Sequence, residues 1–163
     1  MFTKRLINEA GHRRKFLAVI DDTPECERAV LYAARRAVKT NGGLILLFVI
    51  EPGDFQHWLG VEQVMRAEAT ENAEAVLAKY GAYAREKAGI EAETVIREGV
   101  PVEQIHALIE EDQDVAILVL AAGAAKEGPG PLVSSVAGRS AAFPIPVTVV
   151  PYNLSDEDIE SLS

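Results

Sequence analysis

The sequence predicts an α/β fold, a parallel sheet with helices on both faces. Three observations predict it. Five short apolar runs stand at 16–20, 44–50, 93–97, 115–120 and 146–150. Patterns of helical period fill the gaps between them. The resulting order, β-α-β-α-β-α-β-α-β, suits parallel strands joined by crossover helices.

Each element has its own signal. FLAVI, LILLFVI and VAILVL are continuously apolar and rich in branched residues, as in strands covered on both faces. ETVIR alternates, with Thr94 and Ile96 on one face and Val95 on the other, which predicts an edge or half-covered strand. PVTVV closes the set. The first helix is predicted from Pro24 to Lys39, with Val30, Leu31, Ala34 and Val38 at helical spacing. Thr23 is its expected N-cap and Pro24 its first residue. Asn41-Gly42-Gly43 stops it. The second helix spans 61–88, with a stripe from Val61 through Met65, Ala69, Ala73, Val76 and Tyr80 to Ala84, and Gly89 ends it. Pro101 starts the third, with Val102, Ile105, Leu108 and Ile109 facing inward. The fourth is expected from Leu132 to Ala142, closed by Pro144.

Composition narrows the function. The 163 residues fit one domain that buries a core without staples. The boundaries expected are an arm at 1–13, the domain at 14–151 and an acidic tail at 152–163. A formal net charge of −9 argues against nucleic-acid binding, because an acidic surface repels phosphate backbones. It also means that an anionic ligand would need a local pocket of donors. No apolar run approaches the roughly 20 residues that span a bilayer, and the basic N-terminus lacks a signal-peptide core. No membrane partner and a cytoplasmic location are therefore expected. The single cysteine, Cys26, precludes an internal disulfide and reads as a small half-buried residue.

Catalytic motifs are missing. His12, His57 and His106 lack cysteine or histidine neighbours at ligand spacing, so no metal site is expected. Gly-x-Ser-x-Gly, the P-loop signature and Gly-x-Gly-x-x-Gly after the first strand are absent. The first strand runs instead into Asp21-Asp22-Thr23. Ligands of open α/β sheets bind at carboxyl ends of strands, where strand order reverses. Asp21 stands there and would accept from a hydroxyl or an amine; the alternative is that it caps helix one with Asp22. Phe55 and Trp58 either line a pocket or partner surface, or simply pack.

Taken together, KFLAVIDDTPECERAVLYA, LILLFVIEP, REGVPVEQIHALIEE and VAILVL…SSVAGRSAAFPIPVTVVP resemble the universal stress protein family from about Lys15 to Pro151. The resemblance implies a single doubly wound, Rossmann-like five-stranded sheet of order 3-2-1-4-5. It implies a homodimer formed by last strands, here Pro146 to Val150. It also implies an adenine-nucleotide crevice. The family's ATP motif of Gly, two residues, Gly, nine residues, then Gly-Ser or Gly-Thr falls on Ala121, Ala124, Ser134 and Ser135. The spacing is kept, all three glycines are replaced, and only the hydroxyl at Ser135 remains. Asp21 resembles the aspartate that contacts the nucleotide, and Val49 the position that meets adenine through its backbone.

Alanine disfavours a positive φ and brings a Cβ to the phosphate. Pro129 and Pro131 remove N–H donors from the same loop. The expectation is a non-catalytic binding or regulatory protein with a degenerate nucleotide crevice. One alternative is a genuine ATP or AMP binder, with magnesium if ATP, and slow hydrolysis. The other is an interaction module using the 52–62 loop or the acidic tail.

Overall fold

The computed structural model describes residues 3–52, 60–123, 131–137 and 143–163. Its sheet is five-stranded, all-parallel and ordered β3-β2-β1-β4-β5. The strands are β1 (Lys15–Ile20), β2 (Gly43–Ile50), β3 (Glu93–Glu98), β4 (Val115–Ala122) and β5 (Val147–Pro151). The helices are α1 (Cys26–Lys39), α2 (Val61–Ala88), α3 (Pro101–Glu111), α4 (Pro131–Ala137) and α5 (Asp156–Leu162).

Side-chain alternation splits the core into two layers. Phe16, Ala18 and Ile20 of β1 join Leu44 and Leu46 of β2 against α1 and α2. Leu17 points the other way, with Ile45 and Leu47, against α3 and α4. A period of two puts alternate residues on opposite faces, so an unbroken apolar run supplies both layers at once. Among the described residues β3 has a neighbour only in β2, and its residues are exposed or half-buried, as its alternation predicts.

The structure corrects the start of α1. The helix begins at Cys26, with no side-chain cap. Residues 23–28 form tight i to i−3 turns instead. The Thr23 hydroxyl is not free to cap, because it donates to Asp21. Val38 is also corrected: it is 49% exposed, while Ala29, Ala33 and Ala37 are fully buried. Small side chains let α1 lie close to the sheet, and the buried stripe follows them. The exit of α1 agrees with its signal. Asn41 adopts φ 53°, and a Cβ on Gly42 would stand 2.4 Å from the Arg14 carbonyl oxygen.

α3 buries Val102, Ile105, Leu108 and Ile109 as expected. The C-terminal half of the α2 stripe, Ala73, Val76, Tyr80 and Ala84, is buried, while Val61, Met65 and Ala69 are half-buried. The last strand is shifted by one residue from the expected 146–150. α4 begins at Pro131, and the expected continuation through 138–142 lies outside the described residues. The same holds for Phe55, His57, Trp58, Ala124, Pro129 and most of the 52–62 loop.

The flanking segments both touch the domain. Arg5 donates through Nη1 to the carbonyls of Ile109, Asp112 and Val115, from the end of α3 to the start of β4. Residues 156–162 form α5, which packs on the outer face of α1. No helix among the described residues is long and apolar enough to cross a membrane.

Candidate functional site

Sheet order reverses at β1, which pairs with β2 on one side and β4 on the other. A crevice of about 320 Å³ opens at the carboxyl ends of β1 and β2. β1 contributes Val19, Ile20 and the following Asp21, and β2 contributes Val49 and the following Glu51. Val100, Pro101 and Val102 come from the start of α3, and Leu132 and Ser135 from α4.

The turn before α3 is set by Gly99. Its φ is +146°, and its N–H donates to the Ile50 carbonyl at 2.9 Å. A Cβ there would meet Gln104 Nε2 at 2.6 Å. Glycine alone fits without strain, and the turn points Val100 and Pro101 into the crevice. Val19, Val49, Val102 and Leu132 also pack into the α3/α4 core layer, so the crevice floor continues that layer.

Asp21 is exposed at the rim. Its Oδ1 accepts from the Thr23 N–H at 3.0 Å and from the Thr23 hydroxyl. Of the two readings from sequence, a local turn and a ligand contact, the turn is therefore present. It engages Oδ1, and among the described residues Oδ2 has no hydrogen-bond donor. Glu51 brings another carboxylate. The chemistry offered is an apolar floor for a flat or aliphatic group, two carboxylates to accept from hydroxyls or amines, and the Ser135 hydroxyl. Asp21 and Glu51 are the ionisable groups among the described lining residues. They include no base paired with a nucleophile. Among the described residues no cluster of His, Cys, Asp and Glu could hold a metal ion.

The predicted site residues divide. Asp21, Val49 and Ser135 come together in one crevice. Ser134 is exposed on α4 and is not among the lining residues. Ala121 pairs with Val150 inside the sheet, and its methyl packs with the α1/α2 layer, away from the crevice floor. It has no positive φ, so alanine carries no backbone penalty there. Ala124 lies outside the described residues. Sequence reasoning missed Glu51. Its one signal is its place directly after a buried strand, the same place that Asp21 holds after β1. A larger groove of about 520 Å³, bordered by Glu27, Tyr80, Tyr83 and Glu86, lies between α1 and α2 and contains none of the predicted residues.

Fold and crevice together define an open parallel α/β protein with a ligand-sized cleft at its topological switch point. The sequence profile of the universal stress protein family matches residues 12–151, and the chain belongs to that family. No curated relative matches in sequence.

Solved structures share the fold. The universal stress protein UspA from Lactobacillus plantarum superposes with a TM-score of 0.72 at 17% identity, covering 84% of this chain and 97% of that one. A universal stress protein from Archaeoglobus fulgidus in complex with dAMP gives 0.59 at 16%, covering 84% and 97%. A family protein from Arabidopsis thaliana with AMP bound gives 0.55 at 16%, covering 88% and 94%.

Proposed function

We propose that this universal stress protein acts by binding rather than by catalysis, and that its crevice receives an adenine nucleotide by its nucleoside end. The observation that carries this reading is the convergence of Asp21, Val49 and Ser135 on one apolar-floored crevice. The base lies on the valine floor, and the Asp21 carboxylate accepts from ribose hydroxyls. Relatives crystallised with AMP and dAMP support the ligand class. The phosphate end is degenerate: Ala124 and Ser134 stand at two of the family's glycine positions, and Asp21 and Glu51 oppose added negative charge. AMP therefore binds more firmly than magnesium-ATP. The described lining residues supply no cation to draw charge from a γ-phosphate, so no turnover of bound ATP is expected.

Isothermal titration with AMP and magnesium-ATP, followed by a phosphate-release assay, tests the reading. The expected result is measurable AMP binding, weaker ATP binding and no phosphate above background. Low-micromolar affinity for magnesium-ATP would defeat the degenerate reading and favour a true ATP protein.

A separate observation supports a homodimer through β5. Among the described residues β5 pairs only with β4, and Val149 within it is 42% exposed. An apolar edge strand needs a cover or a partner. Val149→Asp yields a monomer by light scattering if β5 is the interface.

A further inference from the structure

α5 lies beyond the family match, which ends at residue 151. It sits on a basic face of an otherwise acidic protein. Arg28, Arg35 and Lys39 are seven and eleven residues apart on α1, so they fall in one stripe along the helix, with Arg36 beside them. Every one of the four contacts the C-terminal segment. Arg28 pairs with Asp156 at 2.8 Å and donates to the Leu154 carbonyl at 3.0 Å. Arg35 Nε lies 2.7 Å from Glu160 Oε2. Its N–H is misaligned for a hydrogen bond, so that contact is Coulombic. Lys39 reaches the Glu160 carboxylate at 3.4 Å and its carbonyl at 3.0 Å, and Arg36 donates to the Ser163 carbonyl. Between these polar contacts one side chain, Ile159, is fully buried.

Such a contact is held by its tether. A seven-residue helix has no stability of its own, even with the Ser155–Asp158 capping box that starts it. The carboxylates of Asp156 and Glu160 are half exposed, and salt screens exposed pairs. Only the few residues between β5 and α5 separate ligand from surface, which gives a millimolar-scale local concentration.

We propose that the face of α1 beneath α5 is a protein-docking surface, with α5 as its resident intramolecular ligand. The partner it fits is an acidic amphipathic helix. Carboxylates four residues apart meet the arginine stripe, as Asp156 and Glu160 do, and one aliphatic anchor fills the Ile159 site. Charge complementarity selects that partner, and α5 keeps the stripe covered until it arrives.

The test uses the full chain and a fluorescein-labelled peptide with the sequence of residues 152–163. In the Ile159→Asp chain the native α5 is released. The peptide is expected to bind it at least tenfold more tightly than it binds the unaltered chain. Adding Arg35→Glu removes that binding, and raised salt weakens it. A circular dichroism melt checks that each variant is folded. If Ile159→Asp does not fold, the paired surface change Asp156→Arg with Glu160→Arg releases α5 without touching the core, and the same binding is expected. A folded, released chain that ignores the peptide overturns the proposal, as does binding indifferent to Arg35→Glu. A wild-type dimer that Ile159→Asp dissociates also overturns it, by assigning the surface to α5 of a second copy.

Discussion

The carboxylate of Asp21 accepts hydrogen bonds from both the backbone N–H and the hydroxyl of Thr23. Both donors converge on Oδ1. The side chain is thereby fixed in orientation before any ligand arrives, and a pre-oriented acceptor loses less freedom on binding. Asp21→Ala should weaken AMP roughly 10- to 100-fold, the range for a hydrogen bond to a charged group. Thr23→Val keeps the N–H and the branch but removes the hydroxyl, and should cost several-fold. Titration calorimetry reads both. Equal affinity in Asp21→Ala and wild type would leave Asp21 a turn residue only.

Gly99 tests the mouth of the crevice. At φ +146° an alanine is strained, at about 1–3 kcal/mol. Gly99→Ala should lower the unfolding free energy read from a urea titration by that amount and weaken AMP, because Val100 and Pro101 follow the turn. A variant as stable as wild type would show that the turn adapts.

Lys15 gives a pH prediction. Its ammonium lies 2.9 Å from Asp112 and 3.0 Å from Glu93. Burial works against the charge, but those hydrogen bonds outweigh it and hold the pKa above its usual 10.5. A raised folded pKa contributes stability that is complete below the unfolded value. That stability is lost as pH rises through the folded one. Lys15→Met should therefore be less stable than wild type at pH 7 by about 1 kcal/mol. The gap should close at pH values above the folded pKa. Urea titrations from pH 7 into that alkaline range decide it; a gap that stays constant would mean that Lys15 acts through packing.

Cys26 should be silent. Its thiol is 2% exposed, and burial pushes its pKa up to about 12. Only thiolate reacts, so the native chain should show almost no labelling by a disulfide reagent at pH 8. In urea, labelling should be complete. Rapid native labelling would mean that the start of α1 opens readily.

Most of the fold was legible because its strands are covered on both faces and so read as unbroken apolar runs. Val38 misled for a physical reason: hydrophobicity marked it as core, while the close approach of α1 to the sheet selected alanines. Of the crevice lining, Asp21, Val49 and Ser135 were legible through strand ends and family spacing. Glu51 was not, since an exposed acid after a strand makes no pattern. The direction of the Ala121 methyl was readable in principle, because Val119 shares its face by the period of two. α5 was hidden by its acidity, which resembles that of a solvated tail. Its readable signals were the Ser155-x-x-Asp158 cap and the two aliphatic residues, Leu154 and Ile159.

β1 is hydrogen-bonded along both flanks, and Asp21 is the residue that follows it. Pairing with β2 runs up to Ile20, so displacing the Asp21 Cα would strain that ladder. β2 is likewise paired along both flanks, and Glu51 follows it in the same way, whereas Val100 and Pro101 stand at the start of α3, outside the sheet. The crevice thus has an immovable wall and a replaceable one. Ligand preference can drift among descendants of this fold by changes in the replaceable wall, while the carboxylate of Asp21 keeps its address.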